Sequence, residues 1–527
     1  MNSNVIKKKN QKYYQTHSSP DCRANLCDLK NQNYLHMKKI LFLLILIFIG
    51  SSCSDFYEED LSRLITSDSG ALSDVTGLTA ALAGAYKPMA QVWAQGLGNA
   101  STAAILMGSD DLTTHKASNK ADFREFDQFV VNNTNQRLPF VWKGAYKSIQ
   151  QANNIIAAIP NATGVQATLN QIEGEAHFLR AYNYFWIVRL WGKAPLVLNS
   201  QVFDEELLSI SSSSVEEIYA QIIEDLQKAE TLVANKKPQP GRICLGTVKA
   251  ILAEVYLQMT GYPVNDATKY SLAAAKAKEV IDNQATYGLG LMDDFASLWV
   301  SATVNNDGNK EEVFALNFQG QMSGGSANAW AGIAAIPGDR GGWDDYMCEL
   351  RFFYDFPAGY RKDVTYEVGY DKNGVWIPFT QYQTKRPYYK KLQGNKLTFV
   401  NAISMPLERM AETYLNFAEA QIMATGNPSD PLALEAFNKI KRRGAGLPLN
   451  TPNPAVDATS LTQKEIITEK GWEFAGEFCR WFDLVRLQLV QETIDKKDPD
   501  ELQPKGPVKY FLPLPNVETD VNPNLLD

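Results

Sequence analysis

The chain has 527 residues, 45% of them hydrophobic and 21% charged, with a formal net charge of −8. That composition supplies a large buried core and excludes a disordered, collagen-like or disulfide-dense chain. No basic stripe offsets the acidic balance, which argues against a nucleic-acid partner.

Residues 1–36, with Lys7, Lys8, Lys9 and Lys12, read as neither targeting nor domain sequence, and Met37 is the expected start. Met37-Lys38-Lys39 is a basic n-region before Ile40 to Gly50, an apolar or small run too short to span a bilayer as a helix. Residues 37–52 therefore read as a signal peptide. Its end, Gly50-Ser51-Ser52-Cys53, resembles the lipobox of bacterial lipoproteins, which implies cleavage before Cys53 and acylation of that residue. Several acyl chains make a stable anchor, since each buried methylene contributes about 0.8 kcal/mol. The alternative is an ordinary secretory signal followed by an incidental cysteine. The acidic stretch Ser54 to Asp60 resembles the surface-export signal of Bacteroidetes lipoproteins. Removing residues 1–52 takes eight Lys/Arg and two Asp/Glu, leaving 43 basic against 57 acidic residues and a formal charge of −14. The cysteines that remain, Cys53, Cys244, Cys348 and Cys479, give no disulfide framework once the first is acylated.

Helical periodicity dominates the first half of the mature chain. Apolar residues recur at Val75, Leu78, Leu82, Ala85, Met89 and Val92, then at Trp142, Ala145, Ile149, Ala152, Ile156 and Ile159, in steps of three or four. Two further helices are expected from Ile172 to Leu190 and from Val215 to Val233, the second opening on a capping box of Ser214 and Glu217. An internal repeat follows. Leu252-Ala253-Glu254-Val255-Tyr256-Leu257 is echoed by Met410-Ala411-Glu412-Thr413-Tyr414-Leu415, and each leads through a Gly/Pro turn into an Ala-rich helix, Ala273 to Ile281 and Leu432 to Ile440. The large-small-x-x-Tyr core matches the first helix of a tetratricopeptide unit, and such pairs stack into a curved scaffold.

Between the repeats lies a segment of different character. From Phe314 to Tyr389 there are 17 aromatic residues in 76 positions, about twice the chain average, among Gly-rich turns. Short strands are expected at Glu312 to Phe318 and Val375 to Phe379, the latter preceded by a hairpin-like turn at Asp371-Lys372-Asn373-Gly374.

Five segments in order resemble the SusD/RagB family of Bacteroidetes surface lipoproteins. They are the lipobox; Arg180-Ala181-Tyr182-Asn183-Tyr184-Phe185 through Leu196; Ala411 to Leu415 with Ala418-Glu419-Ala420; Glu469 to Arg486; and Tyr510-Phe511-Leu512-Pro513-Leu514-Pro515 through Leu525. Departures are local: Lys470 where the family often has Arg, Phe478 where it often has Gly, and Asn438 to Gly446 in place of an Asn-x-x-Arg-x-Arg-Ala-Gly run. The resemblance implies a mostly α fold, with four tetratricopeptide-like helix pairs, an irregular aromatic-rich loop region and a few short strands. It also implies a SusC-like TonB-dependent outer-membrane transporter as partner. The expected organisation is 53–235 for the amino-terminal helical region, 236–285 for a helix pair, 286–404 for the ligand-binding loop region and 405–527 for the carboxy-terminal region.

No cofactor, metal or catalytic site is expected. The mature chain keeps two histidines, His115 and His177, and shows no His-Glu-x-x-His, nucleophile-elbow, phosphate-loop or Cys-x-x-Cys pattern. A surface glycosidase would need paired carboxylates, for which Asp110-Asp111 or Asp344-Asp345 are the candidates. Glu469, Glu473, Arg480, Asp483 and Arg486 are expected on one long helix, as ion pairs anchoring it. Trp93, Trp330, Trp343, Tyr346 and Trp376 stand among small or polar residues. Such rings can stack on a pyranose face, with Asn328, Arg340 and Asp344 as hydroxyl partners, or can plug the loops onto the scaffold. The expected function is non-enzymatic capture of glycan oligomers at the outer-membrane surface; capture of peptides, as by RagB-type members, is the alternative.

Overall fold

A computed structural model describes residues 70–90, 96–117, 119–199, 209–299, 309–317, 334–393 and 404–526. Cys53, Trp93, Asn328 and Trp330 lie outside the described residues.

The apolar stripes become helices, and the helices pair in chain order. Val75–Tyr86 is capped by Asp74, whose side chain accepts from the Gly77 N–H, and buries Leu78, Leu82 and Ala85. The expected stripe ran on to Val92, but the α-helix stops at Tyr86 and tightens into a 3₁₀ turn, Lys87–Ala90. Pro88, which has no N–H to extend the ladder, stands there. This helix packs on Leu138–Ala158. Gln166–Trp191 packs on Val215–Leu232, which opens on the expected Ser214/Glu217 capping box. From Gly174 to Trp191 every residue is buried, so this helix is the axis of the core. It ends at Gly192, φ +73°, where a Cβ would meet the Phe511 ring at 3.2 Å.

The two repeats form the remaining pairs, Leu245–Met259 with Lys269–Asp282 and Met410–Thr425 with Pro431–Gly444. Although the aromatic-rich segment separates them in sequence, Met410–Thr425 packs directly on both helices of the first pair. The insertion closes on itself, because Glu312–Leu316 and Met405–Arg409 pair as antiparallel strands with register irregularities on either side of Phe314. The first strand was expected; its partner was not. All five of its residues are buried, and Phe314 stands edge-on to Phe178 and Tyr182 of the axial helix. Three more two-stranded ladders, all antiparallel, shape the insertion: Leu112–Thr113 with Met347–Cys348, Tyr366–Glu367 with Tyr388–Tyr389, and Gly369–Lys372 with Val375–Pro378.

The expected long helix from Glu469 to Arg486 is two helices, Gln463–Glu473 and Arg480–Arg486. The chain takes positive φ at Gly476 (+76°) and again at Phe478 (+64°), which no helix accommodates. A Cβ at Gly476 would lie 2.6 Å from the Tyr389 ring, so the break is also a close approach. The ion-pair reading holds. Glu473 binds Arg361, Arg409 and Arg443; Glu469 binds Arg361; Glu477 binds Lys391 and Arg409; Arg480 grips Asp110; and Arg486 binds Glu419 and Asp483. His177 contacts Asp225, which also takes two bonds from Arg180, and is a packing residue. Tyr256 and Tyr414 are buried at their equivalent repeat positions, and Tyr182 and Tyr184 are buried in the axial helix. Cys244, Cys348 and Cys479 are free thiols. Among the described residues no helix is long and apolar enough to cross a membrane.

Candidate functional site

The described part of the aromatic-rich segment is a set of short loops locked by buried polar contacts. A 3₁₀ turn, Gly338–Arg340, is followed by Gly341 and by Asp344, which holds φ +54°. Asp344 Oδ1 accepts from the Gly338 N–H at 2.6 Å and from the Tyr388 hydroxyl, so the loop carrying Trp343 is pinned at its base. Asp339 Oδ2 accepts from the Gln383 N–H at 2.9 Å. Arg340 pairs with Glu367, which also accepts from the Tyr382 hydroxyl, and its guanidinium stands 5.8 Å from the Tyr370 ring centroid.

Tyr370 belongs to the expected hairpin. Asn373 and Gly374 both have positive φ, the geometry of a two-residue turn matched to strand twist, and Asp371 Oδ1 accepts from the Gly374 N–H. Tyr370 pairs with Ile377 and faces the buried cluster of Met347, Tyr382 and Tyr388. Asp371 and Trp376 therefore share the opposite face. The Trp376 ring lies over Gly369, where a Cβ would come within 2.4 Å of its Cζ2; glycine lets the indole rest on the strand.

Exposure separates the predicted site residues. Trp343 is 39% exposed and Trp376 58%. Tyr346 is wholly buried, edge-on to Phe478 at 5.3 Å, which corrects its placement at a ligand face: its strand neighbours Met347 and Cys348 pair with Leu112 and Thr113 and draw it into the core. Asp344 is likewise buried with its carboxylate engaged, so it fixes the loop and does not face a ligand. Arg340 is partly exposed at the foot of the hairpin. Beside these loops opens a cleft of about 440 Å³ lined by Thr114, His115, Tyr354, Gln383, Thr384 and Arg386. Tyr354 is exposed, and sequence reasoning missed it although a signal existed: in Phe352-Phe353-Tyr354-Asp355-Phe356, helical spacing sends the three phenylalanines inward and turns Tyr354 out.

The paired acids are built into the framework. Asp110 takes two bonds from Arg480, at 2.9 and 3.0 Å. Asp111 is buried and accepts from Ser109 and the Gly476 N–H; burial pushes its carboxyl up to about 6. Asp345 is buried 3.5 Å from Lys120. Neither pair presents two carboxylates across a cleft, the arrangement that glycoside hydrolysis requires.

Comparison with known proteins follows this geometry. Residues 67–257 match a family model described as SusD-like, starch-binding associating with outer membrane, and residues 358–527 match the SusD family model. SusD-like protein P2 of Formosa agariphila is 28% identical over 520 residues, covering 93% of this chain and 98% of its own. A SusD homolog from Bacteroides thetaiotaomicron has a TM-score of 0.74 at 20% identity, covering 86% of this chain and 96% of its own. A surface glycan-binding protein A from Bacteroides uniformis gives 0.70 at 20% identity, covering 85% and 98%. At such identities these two structures establish a shared fold.

Proposed function

This chain belongs to the SusD/RagB family, and we propose that it is a non-enzymatic surface lipoprotein that captures glycan oligomers and passes them to a SusC-like TonB-dependent outer-membrane transporter. The observation that carries the reading is the exposure of two indoles, Trp343 on a loop pinned at its base by Asp344 and Trp376 on a two-stranded hairpin. An exposed indole held in place stacks on the apolar face of a pyranose without losing conformational entropy on binding. Arg340 and the polar rim of the neighbouring cleft, Gln383 and Thr384, supply hydrogen bonds to hydroxyls. Trp93, Asn328 and Trp330 complete the proposed ligand set. The family model described as starch-binding and the surface glycan-binding protein of the same fold support the ligand class. Acylated Cys53 anchors the chain in the outer membrane, and the protein closes over its transporter as a lid.

The experiment is a binding screen against polysaccharides and oligopeptides, with reducing-end release assayed in the same wells. Saturable glycan binding without new reducing ends is expected. Trp343→Ala and Trp376→Ala should each weaken it at least about tenfold, or ~1.4 kcal/mol, in chains that melting curves show to be folded. Peptide binding in place of glycan binding would favour the RagB-like alternative, product release would overturn the non-enzymatic reading, and unchanged affinity in both variants would remove these indoles from the site.

A further inference from the structure

The two repeats bring a pair of carboxylates together. Glu254 and Glu412 occupy equivalent positions, Leu252-Ala253-Glu254 and Met410-Ala411-Glu412, and the direct packing of helices Leu245–Met259 and Met410–Thr425 sets them facing each other. Glu408, on the strand that closes the insertion, completes the group: one carboxylate oxygen from each of the three lies within 4.8 Å of the others.

A second observation is independent of that clustering. Glu408 is 1% exposed, and neither of its carboxylate oxygens accepts a hydrogen bond from any described residue. A buried, unpartnered carboxylate aimed at two others is costly unless something positive sits among them. The neighbouring cations do not supply the balance. Arg189 is held by Glu254 at 2.8 Å; Lys470 lies 2.9 Å from Asp483 and 3.7 Å from Glu412; Arg486 is shared by Glu419 and Asp483. Glu254, Glu408, Glu412, Glu419 and Asp483 thus face Arg189, Lys470 and Arg486, two positive charges short of neutrality.

We propose that Glu254, Glu408 and Glu412 form a binding site for one hard divalent cation of calcium size, which staples the two tetratricopeptide-like helix pairs to the closing strands. All three ligands are carboxylate oxygens, the donor type that calcium takes at about 2.3–2.6 Å. Oxygens on opposite sides of such an ion stand up to about 5 Å apart, wider than the smaller, strictly octahedral magnesium ion spans. One divalent charge makes good the deficit, and Glu254, at 16% side-chain exposure, is the way in from solvent.

The test is thermal unfolding of the purified chain, first stripped with EDTA and then titrated with calcium chloride, beside metal analysis after equilibrium dialysis. One calcium per chain is expected, with a saturable rise in midpoint of about 3 °C at a hundredfold excess over Kd. Glu408→Gln should fold and lose that response, and Glu254→Gln should weaken it at least about tenfold; the latter carries the test alone should Glu408→Gln not fold. An unchanged midpoint with no bound metal, or an equal response in the variants, overturns the proposal. So does a Glu408→Gln chain that is more stable than the wild type and equally blind to calcium, because it would mean that a shared proton neutralises the group.

Discussion

Replacing Glu473 with Gln probes the ionic centre of the fold. This carboxylate is fully buried and touches Arg443 at 2.6 Å, Arg361 at 3.0 Å and Arg409 at 3.1 Å. Burial alone would raise its carboxyl, but Arg443, Arg409 and Arg361 outweigh burial and hold it at about 2. A carboxyl held there, against 4.5 in an open chain, contributes about 3 kcal/mol at neutral pH, at ~1.36 kcal/mol per pH unit. Because the folded value is depressed, the contribution is complete above pH 4.5 and disappears as pH falls towards 2. Each arginine keeps at least one other carboxylate, Glu469 for Arg361, Glu311 for Arg443, and Glu311 and Glu477 for Arg409, so the loss stays near 3 kcal/mol, at the lower end of the cost of breaking a buried pair. For a chain of this size that lowers the thermal midpoint by about 3 °C. The assay is urea unfolding followed by far-UV circular dichroism at pH 7 and pH 3, with Asp282→Asn, in the exposed Lys278 pair, as a control expected to change stability by less than about 0.5 kcal/mol. The difference between Glu473→Gln and the wild type should shrink at pH 3. A variant within 0.5 kcal/mol of the wild type at pH 7 would refute the assignment of Glu473 as the anchor.

Glu349 carries the opposite sign. Burial, with Glu501 nearby, pushes its carboxyl up to about 7, so between pH 4.5 and 7 the folded chain keeps a proton that the unfolded chain has released, and stability falls as pH rises. Urea midpoints should show the wild type losing ground to Glu349→Gln between pH 5 and pH 8; parallel profiles would contradict this. Gly369→Ala should displace the Trp376 ring, since the added Cβ would come within 2.4 Å of it and 2.7 Å of the Ile377 carbonyl oxygen, and should weaken glycan binding at some cost in stability; calorimetric titration beside thermal melts separates the two effects. Cys53→Ala should release the chain from membranes, and a variant that still pellets with outer membrane lacking the transporter would refute the lipid anchor.

Legibility followed the range of the interactions that decide each feature. Helix stripes, the capping box at Ser214, the repeat and the Asn373-Gly374 hairpin all depend on residues within a few positions of each other, and the chain shows them directly. The break between Glu473 and Arg480 was hidden because one of its two left-handed residues is Phe478, a residue type that gives no such signal. Its ring is kept by packing on Tyr346, which outweighs the backbone cost, of order 1 kcal/mol, that glycine would avoid. Tyr346 was misread for a related reason. Its flanking Asp344-Asp345 looks like an exposed loop, yet the strand that buries it comes from Leu112 and Thr113, more than two hundred positions away.

The same network explains why a loop-rich segment can present a preformed surface. Arg361 and Lys391 belong to the insertion and Glu469, Glu473 and Glu477 to the carboxy-terminal region, while Arg409 and Arg443 bridge to Glu311 at the insertion's entrance. The aromatic loops are therefore fastened to the scaffold by directional charge pairs as well as by apolar contacts, and such pairs allow few alternative dockings. Apolar packing alone would tolerate small slides of one surface over another; a buried arginine that loses its carboxylate would not. The base of the insertion is thus fixed by ion pairs that involve neither Trp343 nor Trp376, the two exposed indoles.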